Sequence, residues 1–229
     1  MKIAVVGHSM VHVRQHTFFL KMAVGTGHEI RLFMPETWGN LRAPSSMWGG
    51  LHMVPLVPVS LHARGIGHTT FHLQGLELAL AAFDPDLVYL HAEPESMLAE
   101  QTLAGTRAPV VLFTWENTVP LSEQAQEVVR RGALIVCGND DARARVGPYA
   151  LRTAILPQVG VDTDHFQARP GVPRDIRVAY VGRPVPEKGI PQLLDAWPTA
   201  QVLPWVDWRK LPWELSRVRV LVCCFSAST

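Results

Sequence analysis

Short apolar runs alternate with amphipathic stretches along most of this chain. The runs are Ile3–Val6, Ile30–Phe33, a weaker one at His52–Val59, then Leu87–Leu90, Val110–Phe113, Leu134–Cys137 and Ala154–Leu156. Several, such as PVVLF and ALIVC, are continuous rather than alternating, which is the pattern of strands covered by helices on both faces. Between them the spacing predicts helices over about 12–25, 68–82, 95–105, 121–131 and 139–147. In HTTFHLQGLELALAAF, Phe71, Leu76, Ala79, Leu80 and Phe83 fall on one stripe. Strands alternating with helices predict an α/β chain with a doubly wound parallel sheet.

Local punctuation agrees with these boundaries. Gly25 and Gly27 close the first helix, Asp84-Pro85 closes the helix that ends at Phe83, and Pro109 opens the next strand. Asn139-Asp140-Asp141 supplies capping chemistry just after the strand ending at Cys137. Between Gly39 and Gly67 the chain is irregular and heavy in Pro, Trp and Gly, which reads either as a long functional loop or as a strand with long flanks. Near Pro157 the rhythm stops, and PQVGVDTDHFQARPGVPRD has no period, so residues 158–175 read as a linker. A second rhythm follows: strand Ile176–Val181, helix Gly189–Trp197, strand Gln201–Leu203, a helical turn Leu211–Ser216 and strand Val218–Cys223. The expected division is a first domain over residues 1–170 and a partial second one over 176–229.

Composition narrows the classes of function. Lys and Arg (21) nearly balance Asp and Glu (20), so no basic field points to nucleic acid and no acidic one to a basic partner. No apolar run approaches the roughly 18 residues of a membrane span. The apolar stretch at the N-terminus is too short for a signal sequence. Cys137, Cys223 and Cys224 sit in apolar runs with no C-x-x-C, which fits a reducing, cytoplasmic setting and gives no support to a zinc or thioredoxin-like site. There is no G-x-S-x-G and no Walker A motif. His8, His12 and His16 are spaced to share a helical face, but carboxylate partners at zinc spacing are missing, so no metal is expected.

Four constellations can carry chemistry. The turn Gly7-His8-Ser9-Met10 follows the first strand, where a glycine lets backbone amides approach a ligand. The full dinucleotide fingerprint needs glycine also at Ser9 and His12, which argues against a nicotinamide or flavin enzyme. In Val181-Gly182-Arg183-Pro184-Val185-Pro186-Glu187-Lys188-Gly189, Arg183 and Lys188 bring two cations to a strand–helix junction, suited to a diphosphate. His91 ends the strand at Leu90 with Glu93 close by, where open α/β sheets bind ligands, and both suit substrate hydroxyls. Thr114-Trp115-Glu116-Asn117 follows the next strand: Trp115 offers a flat apolar face, Glu116 and Asn117 offer hydroxyl-binding groups, and Asn117 can equally cap a helix.

Two of these stretches carry a resemblance. Leu156 to Phe166 followed by Ala179-Tyr-Val-Gly-Arg-Pro-Val-Pro-Glu-Lys-Gly-Ile190 resembles the linker and first strand–loop–helix of the C-domain in retaining GT-B glycosyltransferases of the family 4, group 1 type. The usual forms there are close to P-N-G-V-D-x-x-x-F and V-G-R-x-x-x-x-K-G. Gly27-His28-Glu29, Pro85 to His91 and Phe113-Thr-Trp115 resemble the N-domain of the same family, and HAEPES and FTWEN are similar to one bacterial branch. The resemblance implies a Rossmann-like acceptor domain followed by a nucleotide-sugar-binding domain. It implies transfer of a sugar, with retention of configuration, from a donor such as a UDP- or GDP-sugar to an unknown acceptor, without cofactor or metal. By the same resemblance Arg183 and Lys188 stabilise the donor diphosphate, the loop at Gly7 approaches the donor, and His91 contacts the transferred sugar.

The sequence also departs from that pattern. Gln158 stands where Asn is usual, a strand and helices are missing between Trp197 and Gln201, and the chain stops before the two-glutamate motif and the returning C-terminal helix. A truncated second Rossmann-like domain is therefore expected, with an open sheet edge suited to self-association. A non-catalytic relative with an incomplete donor site is the alternative reading.

Overall fold

The alternation of runs is realised as two α/β units, Met1–Val159 and Gly160–Thr229. A computed structural model of the chain describes residues 1–44, 51–60, 67–156, 162–182, 188–203, 206–207 and 209–222. In the first unit, β1 (Lys2–Val6) leads through a 3-10 turn (His8–Val11) into α1 (Val13–Thr26) and β2 (Glu29–Pro35). Short strands β3 (Thr37–Trp38) and β4 (Leu41–Arg42) pair with each other, and β5 (His52–Leu56) and β6 (Pro58–Ser60) follow. Then come β7 (Phe71–Leu73), α2 (Leu76–Phe83), β8 (Leu87–His91), α3 (Met97–Gly105) and β9 (Val110–Thr114). The unit closes with α4 (Glu123–Arg131), β10 (Leu134–Cys137), α5 (Asp140–Val146) and β11 (Thr153–Ile155).

Seven of these strands form one sheet in the order β11-β10-β9-β8-β1-β2-β5, and every pairing in it is parallel. From β1 the chain winds outward to β2; from β8 it winds the opposite way, through β9 and β10 to β11. A right-handed crossover puts its helix on a face set by the direction of travel, so the reversal places helices on both faces. The packing reflects this. Ile3, Val5, Ile30, Leu32 and Met34 point toward α1, where they bury Phe19 and Val11. Ala4, Val6, Val88, Leu90 and Leu112 point the other way, against Leu80 of α2, Leu98 of α3, Val128 of α4 and Val146 of α5. Continuous apolar runs are what two covered faces require.

Helix starts follow the capping residues. Ser96, Ser122 and Asn139 each accept a hydrogen bond from the backbone N–H three residues on, at 3.2, 3.2 and 2.7 Å. Gly27 caps α1 with φ +67°, and Asp84 caps α2 in the same left-handed region, immediately before Pro85. The expected helix over 68–82 is corrected to Leu76–Phe83. Phe71-His72-Leu73 instead alternates buried and half-buried as β7 and pairs antiparallel with β6, so Phe71 reaches the core from a strand. A helical stripe and a short alternating strand share the same apolar residues at this length, and Gly75 (φ +78°) separates the two.

In the second unit β12 (Ile176–Val181) is flanked by β13 (Gln201–Leu203) and β14 (Val218–Leu221), all parallel, with α6 (Ile190–Ala196) and α7 (Leu211–Ser216) connecting them. Val178 and Tyr180 pack on Leu193 and Ala200, while Ile176 and Ala179 pack on Val218. Arg217 clamps Asp175 with two bonds of 3.0 and 2.7 Å and reaches Glu214 at 3.0 Å. Among the described residues no helix is long and apolar enough to cross a membrane.

The caps and the core differ in what they contribute. Phe83→Ala empties a fully buried site and is expected to cost about 3–5 kcal/mol. Asn139→Ala removes one cap and is expected to cost about 1 kcal/mol. Urea denaturation followed by far-ultraviolet circular dichroism checks that ranking, and an equal shift for both variants would contradict it.

Candidate functional site

Where the winding reverses, the carboxyl ends of β1 and β8 lie side by side. Gly7 leaves β1 there, with its N–H donating to Phe33 O at 3.2 Å. A Cβ at residue 7 would stand 2.8 Å from the carbonyl oxygen of His91 and 3.0 Å from its Cβ. The glycine is therefore required by close packing of two strand ends. Its φ of 173° is ordinary extended backbone. A crevice at such a switch point is where open α/β sheets bind ligands.

His91 is 9% exposed. Its ring stacks on Phe113, its partner in β9, with centroids 4.9 Å apart and planes at 8°. Phe113 in turn lies 6.4 Å from Trp115 at 28°, so three rings continue along one face from β8 to the end of β9. Trp115 is half-exposed, and its ring covers Gly138 so closely that a Cβ there would fall 1.9 Å from it. Burial lowers the His91 pKa to about 4, which keeps the imidazole neutral at physiological pH. His8, in the 3-10 turn, is likewise lowered to about 4, first by burial and then by the imidazoles of His68, His91 and His12. His8 rests against Trp38 (4.9 Å) and meets Phe71 edge-on (6.2 Å).

The carboxylates of Glu93 and Glu116 hold the loops after the strands. Glu93 Oε1 accepts from the backbone N–H of Trp115 (2.9 Å) and of Glu116 (3.1 Å), and Oε2 accepts from the Thr114 hydroxyl at 2.5 Å. Glu116 Oε1 accepts from the backbone of Asn117, Thr118 and Val119 and from the Thr118 hydroxyl. Those bonds, the Thr118 hydroxyl first, hold its carboxyl below the ordinary range. Glu93 and Glu116 thus anchor loops, because each sits at a strand end rich in backbone donors. Asn117 is exposed and caps no helix; Ser122 caps α4. Arg145 of α5, nearly buried, pairs with Glu95 and donates to the carbonyls of Val119 and Glu116. HAEPES and FTWEN are therefore one interlocked assembly.

The histidines at 8, 12 and 16 do not gather. His12 caps α1, and His16 is fully buried with Nε2 2.6 Å from Met10 O. In the second unit, Gly182 has φ +154° and a Cβ on it would meet the Tyr180 hydroxyl at 2.7 Å, while Gly189 caps α6 with φ +61°. Both glycines are conformational requirements of this strand–loop–helix junction. Lys188 lies half-buried beside Gly189, and Arg183 lies outside the described residues. Sequence reasoning singled out Gly7, His91 and Trp115 but gave no sign that Trp38, Phe71 and His68 would lie around His8. The signal present was the -His-Ser- that follows the Gly7 turn.

Two outcomes follow. Glu93→Ala frees the amides of Trp115 and Glu116 and is expected to destabilise their protection by about 1–3 kcal/mol. Glu93→Gln keeps one accepting oxygen for both amides and a donor for Thr114, so hydrogen exchange there stays near wild type; fast exchange in both variants would refute the anchor. The second outcome concerns pH. The folded His91 pKa lies below its unfolded value of 6.5, so its contribution is complete above pH 6.5 and is lost as pH falls toward 4. The loss is on the order of 3 kcal/mol. Replacing His91 with Phe keeps the stack on Phe113 and is expected to flatten the fall in melting temperature between pH 6.5 and 4, and an unchanged pH profile would contradict the assignment.

No protein-family model matches this sequence, and comparison with curated proteins finds no match. Solved structures do match in fold. Sucrose-phosphate synthase from Thermosynechococcus elongatus superposes with a TM-score of 0.69 at 13% identity, covering 97% of this chain and 75% of its own. HepE from Anabaena, in complex with UDP-glucose, gives 0.64 at 12%, with 99% and 74% covered. A glycosyltransferase from Rickettsia africae gives 0.60 at 12%, with 96% and 67% covered.

Proposed function

We propose, on the premise of the GT-B fold shared with those three structures, that this chain is a glycosyltransferase acting on a nucleotide-sugar donor. The observation that carries the reading is the winding reversal that sets Gly7 against His91 at the carboxyl ends of β1 and β8. That crevice suits a small polar ligand, and the matched HepE structure holds UDP-glucose. In the proposed reaction the bond between the sugar's anomeric carbon and the diphosphate oxygen breaks, and the electron pair leaves with the nucleoside diphosphate. An acceptor hydroxyl forms the new bond to the anomeric carbon and its proton passes to the departing diphosphate oxygen, and configuration is retained.

Arg183 and Lys188 take the role of stabilising the departing diphosphate, where charge grows as the bond breaks. The two glycines that flank this segment support this, because Gly182 (φ +154°) and Gly189 (φ +61°) hold backbone conformations that side chains rarely adopt. His91, neutral at physiological pH, serves as a hydrogen-bonding group to the sugar rather than as a charged acid. Trp115, half-exposed at the end of the ring stack, offers an apolar face to acceptor or sugar.

Calorimetric titration of the chain with UDP, GDP and their sugar conjugates tests this. Binding is expected to weaken with salt. Arg183→Ala and Lys188→Ala are each expected to lower diphosphate affinity by about tenfold or more, as for loss of a charge-assisted bond. Unchanged affinity in the double variant would sink the donor assignment.

A further inference from the structure

We infer that His8 and Ser9 form a hydroxyl-binding subsite for a neutral sugar, the acceptor of the proposed transfer, and that this subsite disfavours a phosphorylated one. The identity of the ligand rests on the glycosyltransferase reading; the place of the subsite rests on the first unit alone.

Two side-chain polar atoms are buried at the end of β1 without a hydrogen-bond partner among the described residues: His8 Nδ1 and Ser9 Oγ. Folded proteins rarely leave such atoms unsatisfied, and a pair on consecutive residues at the carboxyl end of a strand, where open α/β sheets bind ligands, is most simply satisfied by a ligand. A sugar hydroxyl fits both, because it donates and accepts. It can meet a neutral imidazole nitrogen in either tautomer, and it can pair with a serine hydroxyl in either sense.

The walls point the same way. Trp38 lies 4.9 Å from the His8 ring and Phe71 meets it edge-on at 6.2 Å, while Trp38 and Phe71 are 4.8 Å apart. Trp38 is only partly buried, so its ring can pack against the C–H face of a pyranose. The charge environment supplies the selectivity. The ionisable groups that act on His8 are the imidazoles of His68, His91 and His12. Burial holds His8 and His91 neutral at physiological pH. A phosphate is held by charge-assisted donors. Here it would have to leave water for neutral ones or force a proton onto a buried ring.

The test uses the full chain saturated with UDP and saturation-transfer NMR titrations with the methyl glycosides of glucose, galactose and mannose, beside the three sugar 6-phosphates. At least one neutral glycoside is expected to bind, about tenfold tighter than its 6-phosphate. Ser9→Ala is expected to weaken that glycoside about fivefold or more, as for one lost hydrogen bond. His8→Phe, which keeps an aromatic ring in place, is expected to remove its saturation while the melting temperature stays near wild type. The inference is overturned if a 6-phosphate binds as tightly as its neutral counterpart, if no neutral glycoside binds, or if Ser9→Ala leaves glycoside binding unchanged. Should UDP itself fail to bind, the donor reading falls, and the glycoside titrations without UDP decide the subsite by the same criteria.

Discussion

A side chain on residue 7 would stand 2.8 Å from the carbonyl oxygen of His91, and that closeness follows from how the sheet is wound. The chain leaves β1 in one direction and β8 in the other, so their helices depart to opposite faces. With both helices gone, nothing but backbone separates the two strand ends. The same departure leaves Gly7 and His91 side by side at the carboxyl ends of β1 and β8. Neutral imidazoles there follow from the burial that this packing imposes.

Around those strand ends, several polar groups hold loops. Glu93, Glu116 and Arg145 are occupied by backbone and by one another. Among the described residues near those strand ends, the unpartnered buried side-chain atoms are His8 Nδ1 and Ser9 Oγ, with the Trp38 ring beside His8. The cations assigned to the donor, Arg183 and Lys188, belong to the second unit's sequence.

The sheet was largely legible because runs such as PVVLF and ALIVC are apolar at every position, which only strands covered on both faces demand. Asn139 was legible as a cap because its partner lies three residues away. The stretch 68–75 was misread because Phe71 and Leu73 satisfy a helical stripe and a short strand alike, and the choice is made by pairing with β6, far in sequence. The anchoring bonds of Glu93 were illegible for a related reason. A carboxylate after a strand looks the same whether its donors are a ligand's hydroxyls or the amides of a loop 22 residues on. Trp38, just before the irregular stretch, carried no signal, and its contacts appear only when the fold brings His8 and Phe71 to its side.

The Glu93 anchor has a consequence for how this surface can vary through descent or by design. One carboxylate joins the ends of two different crossover connections, with Thr114, Trp115 and Glu116 as its counterparts. Neither connection can be exchanged singly without stranding the other's donors. HAEPES and FTWEN therefore behave as one heritable cassette: the two segments should co-vary among descendants, and recombination that separates them should be purged. Grafts that aim to retarget the crevice must move both together.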